Sequence, residues 1–472
     1  MLINKLTSTF GDHSNLIPLF TKDVVNSTGM TAFSYDAGGK IEAKDRFIDE
    51  FGTMAIWMGG LPFFKMAFDK SIYKLAKLSP DVDVRLLKDK EQLNAAQKYA
   101  ETLKNTNVAE TLNEVVKHTK KAQGLFLGKF ATATALTLAS FFTLVKVKQH
   151  YTKKEIEKQF WAKKSAQQQF NSNFAQSPAF KAFAMNGTNA PKADKNVSFK
   201  GLGNTLSSFM FNPVKNLFIV DAGITGERLV ASRTKTEFAE NAIKEGSLLF
   251  FLYIAGSYVQ KGIEKLSEKM GKPIGLHAEV LSSSYMKDSI ESGKVNADTA
   301  KVKDLIKAVK TAKENNNTKQ LSEAKKALFE FIYSEKAQEN TVVKAAKHSG
   351  TIKTIIKGNW FDKLTGKAKN THKIDPHQFI SIGDLEAIAD DISKLTTEAK
   401  KHKDLSTFLK KCRNMKIGSV AANMGITCLF LGLIVPYSMM KYREKHQNGK
   451  KEFHVQSEIE KQLEQNFKGR MA

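Results

Sequence analysis

The chain has 472 residues, of which 42% are hydrophobic and 26% charged, and its net charge at pH 7 is +25. Only seven of its 73 basic residues are arginine, which disfavours sequence-specific nucleic-acid recognition because that relies on the guanidinium fork. Two cysteines, Cys412 and Cys428, exclude a disulfide framework, and the length allows two or three domains.

The sequence contains two imperfect copies of one unit, each with a short apolar run followed, after a polar insert, by a longer one. The landmarks are Asp36-Ala37-Gly38, Glu50 and Pro80 in the first copy and Asp221-Ala222-Gly223, Glu245 and Pro273 in the second. This duplication predicts a first repeat over residues 1–158, a flexible linker over 159–204, a second repeat over 205–450 and a tail over 451–472.

The short apolar run of the first copy lies at about residues 47–68. Its uncharged part, Phe51 to Phe64, is shorter than the roughly 20 residues that a helix needs to cross a bilayer, and Gly59-Gly60-Leu61-Pro62 predicts a kink. If Lys65 extends toward the headgroups, the run reaches Phe68 and crosses the membrane. Otherwise it re-enters the membrane or lies in a core, and the sequence favours crossing.

Apolar residues from Pro80 to Lys121 recur at three- and four-residue steps among charges, which predicts helices. The longer run that follows, residues 124–147, is interrupted only near its ends, by Lys129 and Lys146, and is predicted to span a membrane. Small residues line its faces at helical spacing, namely Gly128, Ala131, Ala135 and Ala139. Such rows let helices approach closely in lipid.

Residues 159–204 are rich in Gln, Asn, Ser, Ala, Gly and Lys, which is typical of a linker. The second copy repeats the short run at about residues 246–260, with the same ambiguity about crossing. Its polar insert, about residues 281–414, is larger than that of the first copy. We predict amphipathic helices in it over Ala300 to Lys313, Lys319 to Ser334, Gly383 to Lys394 and Asp404 to Asn414, forming a small bundle outside the membrane.

The insert also holds the most basic stretch of the chain, with Trp360-Phe361 at its centre. Its lysines are Lys344, Lys347, Lys353, Lys357, Lys363, Lys367, Lys369 and Lys373. Lysines around aromatic residues suit anionic lipid headgroups or a nucleic-acid backbone, and a solvated loop fits equally well. The functional prediction for these residues is contact with an anionic lipid surface.

The last run, residues 417–440, is uncharged throughout and is the strongest prediction of a spanning helix. One face of it carries only small residues, which are Gly418, Ala421, Gly425, Cys428 and Gly432. We expect this face to pack against the long run of the first copy or against a second copy of the chain. Apolar residues in the tail have the spacing of an amphipathic helix on a bilayer surface.

Charged residues lead from each Asp-Ala-Gly motif into the short run that follows it, which predicts an ionic collar at the membrane interface. Its residues are Lys44, Arg46, Asp49, Glu50, Arg228, Arg233, Glu237, Glu240 and Glu245. Four spans place the N-terminus, the linker and the C-terminus on one side. Basic residues flank the runs almost equally on both sides, so the positive-inside rule gives no orientation.

The sequence carries no nucleotide-binding loop, metal-binding motif or nucleophile elbow. It therefore predicts no enzyme, no cofactor and no metal site. His372, Asp375 and His377 are interpreted as loop residues because no companion cluster accompanies them.

The predicted fold is an all-α, multi-pass integral membrane protein with four apolar helices and a helical insert. The favoured function is a membrane scaffold or partner-binding component, with anionic lipid, a protein partner or a second copy as its contacts. A small-solute transporter or channel is the alternative, disfavoured by the near absence of ionisable residues inside the runs. A soluble, basic, helical nucleic-acid-binding protein is the third hypothesis, with nucleic acid the least expected partner.

Overall fold

The computed structural model describes residues 2–11, 16–103, 106–171, 213–357, 369–446 and 453–471. The described part is mostly helical, which confirms an all-α class. One antiparallel pair of strands, β1 Thr354–Lys357 and β2 Lys369–Ile374, interrupts the helices within the basic stretch.

The helices of the N-terminal half are α1 Leu2–Gly11, α2 Leu16–Ala55, α3 Leu61–Phe68, α4 Lys74–Ala76, α5 Lys90–Thr102, α6 Thr106–Lys117 and α7 Thr119–Asn171. Those of the C-terminal half are α8 Pro213–Val230, α9 Lys235–Leu249, α10 Gly256–Lys269, α11 Ala278–Leu281, α12 Ser284–Glu291, α13 Lys294–Glu314, α14 Thr318–Ile332, α15 Glu335–Gln338, α16 Thr341–His348, α17 Ile382–Ala399, α18 Leu405–Leu429, α19 Val435–His446 and α20 His454–Met471. Single π-helical turns at Ile56–Gly60, Asp69–Tyr73, Phe250–Ala255 and Phe430–Ile434 join α2 to α3, α3 to α4, α9 to α10 and α18 to α19.

Helix α2 reverses direction at Gly39, whose φ of 76° and ψ of −161° lie in a region that essentially only glycine adopts. Its two limbs, residues 16–38 and 40–55, lie side by side. This is shown by the hydrogen bond that the indole Nε1 of Trp57 donates to Asp23 at 3.0 Å, across 34 residues of the chain. We call residues 16–76 the first hairpin. At Gly59-Gly60-Leu61-Pro62, where a kink is expected, the chain forms a π-helical turn with helical backbone angles and continues into α3.

The second hairpin comprises residues 213–269, in which α8 packs along α9. The turn between them ends at Thr234, whose hydroxyl accepts a hydrogen bond from the backbone N–H of Glu237 at 3.0 Å and caps α9. The side chains of Tyr253 and Asp221 meet across 32 residues. In both hairpins, therefore, the first helix runs along the bundle and the next one returns beside it in the opposite direction.

Two long helices flank the hairpins: α7 packs against the first hairpin and α8, and α18 with α19 packs against α2, α9 and α10. Residues 119–165 and 405–446 are each long and apolar enough to cross a membrane. Only 22% and 33% of their most apolar windows are buried within the protein. These helices therefore turn most of their apolar surface outward.

The polar inserts of both halves form one domain, the insert domain, with a shared hydrophobic core. Leu112 of α6 belongs to the same buried cluster as Phe329 of α14 and Ile392 of α17. The insert helices expected at 300–313, 319–334 and 383–394 lie within or largely overlap α13, α14 and α17, and the segment 404–414 forms the start of α18.

Helix α7 continues through Asn171, so the first residues of the predicted linker, 159–171, are helical. Helix α20 packs along this end of α7, where Ile156 lies in one buried cluster with Phe453 and Val455. The apolar residues of the tail therefore cover α7 instead of facing a bilayer. The rest of the predicted linker, residues 172–204, lies outside the described residues.

The chain termini lie at opposite ends of the helical bundle. The amide Nδ2 of Asn4 donates to the hydroxyl of Ser282 at 2.7 Å, which places α1 beside the insert domain, whereas α20 packs on the far end of α7. The expectation that both termini share one side of a membrane assumes that only the apolar runs cross, whereas the limb 16–38 also runs the length of the bundle before the first apolar run begins. We refer to the two ends as the insert end and the collar end.

Candidate functional site

The predicted collar residues meet in one buried network at the collar end, with the exception of Lys44, which is exposed and bonds the hydroxyl of Tyr151. The structure adds five members that the prediction lacked, which are Glu42, Asp45, Lys148, Lys244 and Arg443. The acids are Glu42, Asp45, Asp49, Glu50, Glu237, Glu240 and Glu245, and the bases are Arg46, Lys148, Arg228, Arg233, Lys244 and Arg443. Seven acids thus face six bases, so the charges of this ionic collar nearly cancel.

Arg228 connects the two hairpins at the centre of the collar. It pairs with Glu245 of its own hairpin and reaches across to Asp49 at 3.3 Å and to the hydroxyl of Thr53 at 2.7 Å. Lys244, fully buried, makes a second link in the same direction, to Glu50 at 2.5 Å. The second hairpin therefore supplies two cations to the carboxylates of the first.

Arg443 joins helix α19 to both hairpins. Its guanidinium donates to Glu42 at 2.7 and 2.8 Å and to Glu240 at 2.6 and 2.8 Å. Such bidentate pairs are the strongest ionic contacts in proteins. A single side chain of α19 thus holds one carboxylate from each hairpin.

Arg233 closes the outer edge of the collar, at the turn between α8 and α9. It pairs with Glu237 at 2.6 Å and with Asp45 at 3.2 Å. Burial alone raises the pKa of Glu237, but the hydrogen bonds and charge of Arg233 outweigh it and hold that pKa below its ordinary value. This carboxyl is therefore ionised at neutral pH.

Below the collar, toward the middle of the bundle, the buried Asp23 and the half-buried Asp221 have no cation as a hydrogen-bond partner among the described residues. Asp23 accepts from the indole of Trp57 at 3.0 Å, and Asp221 accepts from the hydroxyl of Tyr253. Trp57 and Tyr253 both lie in π-helical turns, a distortion that is frequent at functional sites. We call these four residues the acid pair.

A cavity of about 20 Å³ lies between the two carboxyl groups, which is room for a water molecule. Its wall is apolar on one side, with Leu217 and Leu252, and charged on the other, with Glu50, Arg228 and Glu245 from the collar. The acid pair is therefore in contact with the ionic network above it. A proton on either carboxyl has a short path to further carboxylates.

Sequence reasoning missed the acid pair. It aligned Asp221 with Asp36, which is exposed near the end of the first limb, whereas Asp23 holds the position in the first hairpin that Asp221 holds in the second. A signal was present: Leu19-Phe20 precedes Asp23 at the spacing at which Leu217-Phe218 precedes Asp221.

The small-residue faces have different surroundings. A Cβ atom built on Gly432 comes within 2.7 Å of Val25, so this glycine allows α2 to pack closely. Gly418 and Gly425 face open space, and Ala421, Ala131, Ala135 and Ala139 are exposed. Cys428 is half-buried, and Gly128 lies against Phe68. These faces are thus turned outward except at Gly128, Cys428 and Gly432.

Of the eight lysines of the basic stretch, the four whose side chains the structure describes lie in different surroundings. Lys344 pairs with Glu339 at 2.6 Å, Lys347 donates to the carbonyl of His372 at 3.0 Å, and Lys373 lines a cleft beside Tyr99. Lys353 instead lines a separate cavity together with Lys65 of α3 and Lys129 of α7. Lys363 and Lys367 lie outside the described residues, as do the side chains of Lys357 and Lys369.

Within the described ranges, no group of three or more His, Cys, Asp or Glu side chains is arranged to hold a metal ion. His377 contacts the carbonyl of Val108 at 3.0 Å and Asp375 at 3.4 Å, which fits a loop role. Both cysteines are free thiols. Comparison with protein-family models, curated proteins and solved structures finds no match for this chain.

Proposed function

We propose that the chain is a multi-pass membrane protein of two three-helix units, and that it transports a small solute together with protons through the acid pair. The units are the first hairpin with α7 and the second hairpin with α18 and α19. The observation that supports the transport function is the placement of the buried Asp23 and the half-buried Asp221, each paired with a neutral donor, inside a bundle whose exterior is apolar.

Membrane placement is supported by the outward-facing side chains of the bundle. Large apolar residues are exposed on all four runs, among them Met58, Phe63, Leu127, Leu136, Phe142, Phe250, Ile254, Ile426, Leu429 and Leu433. An exposed apolar surface of this extent is unfavourable in water and marks contact with lipid or another protein. It also argues against a soluble protein in which the runs form the core, and so against the nucleic-acid hypothesis.

Duplication is supported by the matched contacts in the two hairpins. The contacts Asp23 with Trp57 and Asp221 with Tyr253 span nearly equal lengths of chain and both include a π-helical turn. Both units run in the same direction through the bundle. Repeats related by an axis along the membrane normal are a known plan for secondary transporters.

Ionisable residues inside a membrane are costly and mark proton or substrate pathways. The sequence disfavoured transport because the apolar runs lack such residues. In the folded bundle they come instead from α8 and the first limb of α2. This removes the argument that placed the scaffold hypothesis first.

The experiment is proton uptake into proteoliposomes that contain the purified chain, driven by an imposed pH gradient. We expect uptake above that of empty liposomes, and its loss in Asp23→Asn and Asp221→Asn. The matched control is Glu291→Gln, which alters an exposed carboxylate of the insert domain. Uptake equal to that of empty liposomes contradicts the proposal.

A partner-binding function is the second candidate, favoured by a cleft in the insert domain. The cleft has a volume of about 590 Å³ and is lined by Tyr99, Tyr333, Lys98 and Lys373, with Glu330 and Glu335 on its rim. Aromatic and basic side chains together are typical of protein interfaces. If the chain carries no flux but a bound partner is released by Lys98→Glu with Lys373→Glu, this function replaces transport.

A further inference from the structure

A second cavity, which we call the vestibule, lies at the insert end of the bundle, far from the acid pair. Its volume is about 310 Å³. It is formed where the insert domain meets α3, α7 and α8, and its lining includes Lys65, Lys129, Arg85, Lys353, Asp81, Asp83 and Asn216. Neither the collar nor the acid pair contributes to it.

The vestibule has cations that the protein does not neutralise. Lys129 is paired with Asp69, and Arg85 with Asp83, both at 2.6 Å. In the part of the chain that the structure describes, the amines of Lys65 and Lys353 have no carboxylate or hydrogen-bond acceptor in contact. Among the described residues Asp81 also lines this space without a basic partner, so the unpaired groups are two lysines and one carboxylate, and the space keeps a net positive charge.

Asn216 gives an independent sign of a ligand. Its side chain is 1% exposed, it lines the vestibule, and among the described residues neither its amide nitrogen nor its oxygen has a hydrogen-bond partner. It lies in the first turn of α8, where backbone N–H groups and the helix dipole favour an anion. A buried amide without a partner is costly unless a ligand binds it.

An apolar groove of about 240 Å³ continues from the vestibule toward the middle of the bundle. It is lined by Leu16, Ile17, Phe20, Trp57, Met58, Leu61, Pro62 and Leu217, and Lys65 belongs to both spaces. From Lys65 to Trp57 the helix rises about 12 Å at 1.5 Å per residue. The basic vestibule and the apolar groove thus meet at Lys65, and the groove is long enough to hold part of an acyl chain.

We propose that the vestibule and groove together bind one anionic phospholipid, with its phosphate at Lys65 and Asn216 and an acyl chain along Trp57 and Met58. Lys353 of the insert domain closes over the headgroup. A free phosphate or carboxylate uses the vestibule but leaves the groove empty, so the continuity of the two spaces favours the lipid. The inference rests on the membrane placement of the proposed function but not on transport.

The test is retention of lipid by the full-length protein, purified in detergent, offered phosphatidylglycerol and phosphatidylcholine in equal amounts and measured by native mass spectrometry. We expect selective retention of phosphatidylglycerol, and retention roughly five-fold weaker in Lys65→Gln, the effect of one lysine at an anionic surface. The matched control is Lys261→Gln, because Lys261 ends the corresponding run of the second hairpin and lines neither space. It is expected to change nothing.

Met58→Trp separates a lipid from a free anion, since it fills the groove without altering the vestibule. We expect it to reduce retention of phosphatidylglycerol as Lys65→Gln does. Equal retention of the two lipids, no effect of Lys65→Gln, or equally tight binding of inorganic phosphate overturns the proposal. If the protein shows no proton uptake but still selects phosphatidylglycerol, only the transport function is contradicted. If alkaline carbonate releases the protein from membranes, both proposals are contradicted.

Discussion

Arg443 is the residue on which the collar depends most, because Glu42 and Glu240 have it as their shared partner. Replacing it with alanine leaves two buried carboxylates facing each other. Breaking a buried pair from one side costs about 3–5 kcal/mol, so we expect Arg443→Ala to lower stability by that amount in detergent, measured by thermal unfolding.

Lys441→Ala is the control for this prediction. Lys441 lies on the same helix and pairs with Glu444 at 2.9 Å, but the pair is solvent-exposed. Its loss is expected to cost less than about 1 kcal/mol. Equal effects of the two substitutions mean that the collar does not hold the bundle together.

Asp391 of α17 gives a pH-dependent prediction for the insert domain. Burial, aided by the nearby Glu264 and Glu268, raises the pKa of Asp391 to about 6 against the attraction of Lys394 and Lys416. The pKa of this carboxyl in the unfolded chain is about 3.9. At pH values between about 3.9 and 6 the carboxyl is therefore ionised in the unfolded state but still protonated in the folded state. Stability therefore falls as pH rises through this window and stays lower above it.

Asp391→Asn removes this penalty. We expect the variant to match the wild type near pH 4 and to be more stable by about 2–3 kcal/mol near pH 8, as measured by thermal unfolding at both pH values. The neighbouring Asp390, whose carboxylate pairs with Lys303 at 2.7 Å on the surface, is the control. A gain from Asp391→Asn that is the same at both pH values contradicts the assignment.

At the level of single residues, the sequence predicted the collar because charge next to an apolar run is a local pattern. Lys148 and Arg443 join the collar from the far ends of the long runs, which only the folded bundle reveals. Asp23 was missed for a similar reason. Lys22 and Asp23 interrupt the limb 16–38, so no apolar run marks it as part of the bundle.

Among the elements, the contact of α2 with the π-helical turn between α18 and α19 depends on small residues. A Cβ atom on Gly29 comes within 2.2 Å of the carbonyl oxygen of Gly432, and one on Gly432 within 2.7 Å of Val25. Gly432→Leu therefore forces the helices apart, and we expect a loss of about 1–3 kcal/mol, typical of overpacking. Thermal unfolding in detergent measures it.

Gly425→Leu is the matched substitution on the same helix face. A Cβ atom at Gly425 meets open space, so the stability of the single chain is expected to be unchanged. If Gly425→Leu alters the size of the detergent-solubilised particle, this face binds a second copy. If Gly432→Leu is as well tolerated as Gly425→Leu, the close approach of α2 is not required.

Helix periodicity predicted most elements of the insert and both long helices, because 3.6-residue spacing records which side of a helix is buried. It could not predict what covers each face. The tail has the pattern of a surface helix, and its apolar side is covered by the extension of α7. A pattern of apolar residues shows which face of a helix is buried. Which helix or lipid surface covers that face depends on contacts between residues that are distant in the sequence.

At the scale of the whole molecule, the proposed three-helix units give a different topology from the one counted on four runs. The limb 16–38 and α8 each run the length of the bundle, so each unit has three helices. We expect reporter fusions at the N-terminus and at the C-terminus to lie on opposite sides of the membrane. Protease protection of the two reporters measures this, and protection on the same side contradicts a three-helix unit.

The insert domain also shows what sequence could not give. Its two parts, near residues 78–122 and 276–412, were predicted as separate helical inserts, but they share one core. Residues 276–412 supply most of this core, and the helices of the first part pack onto it through residues such as Leu93 and Leu112. The pairing is invisible in the sequence because neither part carries a mark of the other.

The position of Arg443 has a consequence for biosynthesis. Glu42 and Glu240 emerge from the ribosome long before the residue that neutralises them, so the collar stays incomplete until nearly the whole chain has been made. Any product truncated before α19 exposes opposed carboxylates at the place where the hairpins should close. A protease that recognises loosened helices thereby gains a simple means of discarding unfinished chains.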